Sequence, residues 1–240
     1  MTTRHIIKKI PLLKDSEEIG IIIPAAGLGK RMKSRGPKPL IKIKGDTTIL
    51  KNQLSSIRNK FTKASIALVS GFESDKLMSE SPAEIIKVEN EFYEQTNVAR
   101  SLGIGLRALE SFDRILVVYG DLVFNEDALE VLDYNKSAIF CINDFIGNDE
   151  VGCIADGDHK LEHMMYDLPD KWGQIAYFQG LELGYLKEIV WNRNNSRLFG
   201  FEVINKIIER GGTFECQKTE KIKLIDVDTS KDIERARQVI

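Results

Sequence analysis

Ile21-Ile22-Ile23-Pro24-Ala25-Ala26-Gly27-Leu28-Gly29-Lys30-Arg31-Met32, followed by Pro37-Lys38-Pro39-Leu40, decides how this chain reads. A buried-strand pattern ends in a loop of small residues and then in cations. Ala25, Ala26, Gly27 and Gly29 carry little or no side chain, so the backbone N–H groups between them can approach phosphate oxygens. Lys30, Arg31 and Lys38 supply the countercharge. Such a loop suits a nucleoside triphosphate. A Walker loop fits less well, because Pro24 stands where its first glycine belongs and Lys30 is followed by Arg31 rather than by a hydroxyl. The dinucleotide fingerprint fails as well, with Met32 in place of the third glycine and Pro37 and Pro39 interrupting any helix.

Working outward, apolar runs at 19–24, 65–70, 84–88 and 114–119 alternate with helix-like stretches at about 47–60, 73–80 and 97–110. That rhythm implies an α/β fold with a doubly wound, mostly parallel sheet, whose ligands sit at the carboxyl ends of the strands. Pro24-Ala25-Ala26-Gly27, Ser70-Gly71 and Gly120-Asp121 each follow such a run, so three polar or glycine-rich turns gather at one edge. After residue 136 the pattern shortens to strands and turns, including Gly147-Asn148-Asp149, Asp156-Gly157-Asp158 and Leu168-Pro169-Asp170, as expected of a small antiparallel insertion walling a pocket. Helices at about 181–191 and 200–210 follow. The chain then closes with the apolar run Ile222–Ile225 and a helix from about Ser230.

The 240 residues suit one domain over 19–240, with 1–18 as an N-terminal extension that packs on the sheet or on a partner, leaving room for a homodimer. Lys+Arg 34 against Asp+Glu 36 gives no global field for nucleic acid or membrane, so any functional cations are local. No apolar run approaches the ~20 residues of a membrane span, and Lys8 and Lys9 interrupt the only N-terminal candidate for a signal. Cys141, Cys153 and Cys216 are odd in number and lack C-x-x-C spacing, which suits a reducing cytoplasm.

Three acids stand where a hard cation would be held. Asp121 directly follows a strand and a glycine, at the edge where ligands bind, in position to hold Mg²⁺ against a triphosphate. Asp226 and Asp228 flank Val227, so an extended chain points both to one side, a spacing that suits two oxygen donors on one Mg²⁺. Thr229, Ser230 and Asp232 read instead as a helix cap. Lys38, between two prolines, projects from a stiff loop and is suited to an α-phosphate. His159 and His163 lack the H-E-x-x-H order of a zinc pair and read as a surface hairpin.

The opening run resembles the signature A-A-G-x-G-x-R-M…P-K of the nucleotidyltransferases that join CTP, UTP or other NTPs to sugar-1-phosphates, phosphocholine, aminoethylphosphonate and related small phosphorylated compounds. Gly120-Asp121 and Asp226-Val227-Asp228-Thr229 resemble the family's metal motifs, and the resemblance spans 19–240. It implies a Rossmann-like, glycosyltransferase-A-type fold, with the insertion forming the acceptor-pocket wall. Catalysis falls to Lys38, Arg31 and Lys30, and nucleotide binding to Ala25, Ala26, Gly27, Gly29, Lys30, Gly71, Asn97, Ser101 and Gly120. Mg²⁺ falls to Asp121, Asp226 and Asp228. Thr96-Asn97…Ser101 resembles a T-N-x-x-x-S-L segment of the phosphocholine and aminoethylphosphonate cytidylyltransferases, although Asn97 equally reads as a helix cap. Asp170–Phe178 resembles their W-x-G-I-A-Y stretch with Gln174 inserted, so Trp172 and Tyr177 are acceptor-pocket or core aromatics. Glu202 and Asn205 are acceptor contacts or an exposed helix face.

The expectation is therefore Mg²⁺-dependent transfer of CMP from CTP to a small phosphorylated or phosphonate acceptor, with release of pyrophosphate. A sugar-1-phosphate or molybdopterin nucleotidyltransferase is the enzymatic alternative. A non-catalytic nucleotide sensor is the alternative from another class, opposed by the intact set of Lys38 and three acids.

Overall fold

The first apolar run becomes strand β1 (Gly20–Pro24), buried along its whole length. Its side chains alternate between two cores: Ile22 packs with Leu106 and Val117 on one face, Ile21 and Ile23 with Leu54 and Leu116 on the other. A strand covered on both faces reads as unbroken apolar sequence, and each buried isoleucine contributes about 1.5–3 kcal/mol. The structure, a computed structural model, describes residues 18–29, 36–130, 132–142, 150–218 and 222–240. The segment 1–17, the Lys30 and Arg31 pair and the Gly147-Asn148-Asp149 turn lie outside the described residues.

A small hairpin, β2 (Lys42–Lys44) and β3 (Thr47–Thr48), leads into α1 (Ile49–Lys60). Thr48 caps that helix, its Oγ1 accepting from the Lys51 N–H at 3.2 Å. Next come β4 (Ser65–Ser70), α2 (Ser74–Glu80), β5 (Ile86–Glu89), α3 (Val98–Ala108) and β6 (Arg114–Val118). β4 and β6 flank β1 in parallel and β5 lies parallel to β4. The carboxyl ends of β1, β4 and β6 thus share one edge, as the alternation of runs requires.

Beyond β7 (Leu122–Phe124) the chain forms β8 (Ala138–Ile142), β9 (Val151–Ala155), β10 (Leu161–Tyr166) and the long β11 (Asp170–Gln179). β11 runs antiparallel to β6, β8 and β9, so the insertion extends the main sheet, which reaches nine strands, instead of standing apart from it. α4 (Gly180–Trp191) and α5 (Gly200–Glu209) then pack on one face, and β12 (Glu215–Lys218) joins β8 in parallel. β13 (Leu224–Asp226) pairs antiparallel with β7 as a separate ribbon, and α6 (Ser230–Ala236) follows it.

β10 sits at one end of the sheet order, and α5 protects it. The Met164 N–H donates to Asn205 Oδ1 at 3.0 Å, and Asn205 Nδ2 donates to the Met164 carbonyl at 2.7 Å. Asn205, read from sequence as an acceptor contact or part of an exposed helix face, instead imitates a neighbouring strand. His159 lies in the β9–β10 turn and His163 on β10, as a hairpin requires. The three cysteines are buried. Among the described residues no helix is long and apolar enough to cross a membrane.

Candidate active site

The shared edge opens into a cavity of about 880 Å³, within the range of small-molecule sites. The first half of the chain lines it with Pro24–Gly29, Lys38, Asn97, Ser101, Gly120 and Asp121. The second half adds Trp172, Gln174, Phe201, Asp226 and Asp228.

Lys38 begins a single 3₁₀ turn, Lys38–Leu40, entered through Pro37. The prolines thus place the lysine at a helical start, where a missing N–H costs nothing, and not in an extended loop. Its Nζ donates to Asp121 Oδ2 at 2.8 Å and to Asp228 Oδ1 at 2.6 Å. Burial alone would lower the ammonium's pKa, but the Asp121 charge, the hydrogen bonds to Asp121 and Asp228 and the nearby Asp226 outweigh it. Lys38 is held above the ordinary lysine value and stays charged.

Two backbone contacts bring the acids together. The Gly120 N–H donates to the Pro24 carbonyl at 3.1 Å, and a Cβ on Gly120 would lie 2.8 Å from the Ala25 Cβ, so only glycine lets the turn after β6 close on the turn after β1. The Val227 N–H donates to the Asp121 carbonyl at 3.0 Å, continuing the β7–β13 ribbon. Oxygens of Asp121, Asp226 and Asp228 then lie within 4.8 Å of one another. Asp232 works as a cap, its Oδ2 accepting from the Thr229 N–H at 2.7 Å and the Thr229 hydroxyl at 2.8 Å.

Asp226 is the least satisfied of the three. Oδ2 accepts from Gln174 Nε2 at 2.8 Å, while the buried Oδ1 has no hydrogen-bond partner. Burial, then the Asp121 and Asp228 charges, push its carboxyl up to about 7 against the opposing pull of Lys38 and Gln174. A hard divalent cation with oxygen ligands fits this donor set: three carboxylates converge, and one carries an orphaned buried oxygen.

That orphan has a measurable cost in chelated protein. The folded pKa lies above the ordinary carboxylate value of about 3.9, so the native chain keeps a proton that the unfolded chain has released, and stability falls as pH rises between the two values. Asp226→Asn should therefore raise the melting temperature in chelator. We expect a gain that grows from about pH 4 to pH 7 and then levels off at about 1 kcal/mol or more, or about 2–4 °C for each kcal/mol. Calorimetry across pH tests this, and a gain independent of pH would sink it.

Ala25, Ala26, Gly27, Gly29, Asn97, Ser101, Gly120 and Trp172 all line the cavity. Gly71 does not: it packs against the Ala26 backbone and Tyr93 and so supports the loop from behind. Tyr177 lies in the opposite core, edge-on to Tyr134 at 5.2 Å between ring centroids. Glu202 caps α5, its Oε2 accepting from the Phe199 N–H at 2.8 Å, and is absent from the cavity lining. Asn97 holds the 196–198 segment, its Nδ2 donating to the Arg197 carbonyl at 2.9 Å, and makes no side-chain cap to α3. Lys30 and Arg31 fall outside the described residues.

The sequence reading missed Asn90, whose amide donates to Thr96 Oγ1 at 3.1 Å and Ser101 Oγ at 3.3 Å. It also missed an aromatic wall. Tyr166 stands edge-on to Phe201 at 5.5 Å, Phe201 stacks on Phe199 at 6.0 Å, and Trp172 meets Tyr119 edge-on at 5.5 Å. Tyr166 at the end of β10, with Phe199 and Phe201 at the start of α5, is the signal that could have pointed to it.

Residues 21–135 match the family model of the MobA-like NTP transferase domain. Solved structures with the same fold include a CTP:phosphocholine cytidylyltransferase from Streptococcus pneumoniae, 18% identical with a TM-score of 0.72, covering 92% of this chain and 98% of that one. The inositol-1-phosphate CTP transferase from T. maritima is 15% identical with a TM-score of 0.72, covering 92% and 95%. A putative glucose-1-phosphate thymidylyltransferase from Bacillus anthracis is 16% identical with a TM-score of 0.73, covering 92% and 94%. No curated protein matches the chain.

Proposed function

We propose that the chain, whose residues 21–135 match the MobA-like NTP transferase domain, is a nucleotidyltransferase that transfers CMP from CTP to a small phosphorylated acceptor bearing an amine or alkylated ammonium. One observation carries the reading: a lysine and three carboxylates meet beside a small-residue loop at the edge of the parallel strands.

The acceptor's phosphate oxygen attacks the α-phosphorus of CTP. The new P–O bond forms as the α–β bridging P–O bond breaks and pyrophosphate leaves. That oxygen is already ionised near neutral pH, so the chain needs neither a nucleophile nor a general base. Lys38 meets the negative charge on the α-phosphoryl oxygens, held in place by its bonds to Asp121 and Asp228. The loop Ala25–Gly29 offers backbone N–H groups to the triphosphate. Asp121, Asp226 and Asp228 would hold Mg²⁺, which when bound neutralises phosphate charge and orients the triphosphate.

Asn90, Thr96, Asn97 and Ser101 suit a pyrimidine edge, since the Asn90 amide fixes both hydroxyls by donating to their oxygens. The aromatic wall favours the ammonium acceptor over a sugar phosphate. Cations bind ring faces within about 6 Å of the centroid, and the rings of Tyr166, Phe199 and Phe201 border the same cavity as Glu150. The S. pneumoniae protein of the same fold is described as acting on phosphocholine.

A pyrophosphate-release assay of four NTPs against a panel of small phosphates and phosphonates tests this directly. CTP should exceed UTP, GTP and ATP by at least about tenfold, because an unpaired buried acceptor costs a few kcal/mol. Faster turnover with UTP or dTTP and a hexose-1-phosphate would overturn the base and acceptor while leaving nucleotidyl transfer standing.

A further inference from the structure

Along β11 the ladder to β8 breaks: Trp172 faces Cys141 and Ala176 faces Ile139, so four steps on β11 match two on β8. The two extra residues bulge out of the strand. Gly173 leaves room for Phe140, whose Cδ1 would lie 2.8 Å from a Cβ there, and the Trp172 indole N–H spans the bulge to the Ile175 carbonyl at 3.3 Å. At the crest stands Gln174, with φ of +55°.

Left-handed backbone suits glycine or asparagine. A glutamine there costs of order 1 kcal/mol and persists only where its surroundings impose it. Bulges near ligand sites commonly re-aim a side chain. Here the side chain enters the cavity and donates from Nε2 to Asp226 Oδ2 at 2.8 Å, leaving Asp226 Oδ1 buried and unpartnered. Nothing in the strand ladder needs that amide.

We propose that Gln174 is a positioning residue: the strained bulge exists to clamp one oxygen of Asp226 and present the other to the divalent cation. The assignment rests on the three-carboxylate metal reading above. Groups that orient metal ligands typically change metal affinity by about 10–100-fold when removed, so the clamp is worth more to the site than the relaxed turn would be to the fold.

Gln174→Gly separates the two roles, because glycine keeps the left-handed turn without strain and removes the amide. Mn²⁺ binding to the full chain, followed by electron paramagnetic resonance, should weaken by about tenfold or more, with a melting curve in chelator as the control for folding. Gln174→Asn, which tolerates the same backbone but is one methylene shorter, should also lose affinity, and it carries the test if the glycine variant fails to fold. In turnover both variants should need more metal for half-maximal rate, with KM for CTP at saturating metal unchanged. Wild-type affinity for Mn²⁺ in a folded variant would overturn the clamp. Failure of the wild-type chain itself to bind Mn²⁺ would instead remove the metal reading on which the clamp depends.

Discussion

Asp121→Asn should cut turnover by at least about a hundredfold, the scale of losing one key electrostatic stabiliser in a preorganised site. The carboxylate has two partners to lose: the ammonium of Lys38 at 2.8 Å and its share of a cation held with Asp226 and Asp228. The amide keeps the shape of the turn and the Val227 hydrogen bond, which is made by the Asp121 backbone carbonyl. Folding should therefore be spared, and the loss should fall on kcat. Steady-state kinetics with a melting curve as control tests it. A folded variant with near-normal turnover would remove Asp121 from the chemistry.

Lys38→Ala should produce two changes of opposite sign. Turnover should fall by about a hundredfold or more, since the ammonium meets charge that develops only in the transition state. Binding of Mn²⁺ without nucleotide should tighten by about tenfold, because a unit positive charge within a few ångströms of the cation is removed from a partly buried site. Lys38 shares Asp121 and Asp228 with any cation they hold, so the two charges repel across the same carboxylates. Kinetics and titration on one preparation measure both. A rise in KM for CTP with kcat intact would make Lys38 a binding group only.

The parallel half of the fold was legible because β1, β4 and β6 are buried on both faces, and sequences with that burden have little freedom. The acids were legible for a similar reason. A carboxylate one turn beyond a buried strand, or repeated at a spacing of two in an extended segment, has few places to point. Tyr177, left open between pocket and core, could have been assigned to the core. It lies five positions from Trp172, and an odd separation sends two strand residues to opposite faces; the structure puts Trp172 in one core and Tyr177 in the other. Glu202 was legible too, as an acid at the third position of a helix.

Asn90, Asn205 and the left-handed turn at Gln174 were not. Asn205 and Gln174 meet partners 41 and 52 residues away, Asn90 is turned back onto Thr96 and Ser101 by a loop without a sequence signature, and the two-residue bulge in β11 becomes visible only when β8 is laid beside it.

The β7–β13 ribbon separates the three clustered acids in time as well as in sequence. Asp121 is synthesised well before Asp226 and Asp228, and at about 5–20 residues per second the interval is roughly 5–20 seconds. Throughout it Lys38 has one of its two carboxylate partners. On the proposed reading, a nascent chain would hold Lys38 against Asp121 alone and would stay inactive until β13 docks on β7 and brings Asp226 and Asp228 to them.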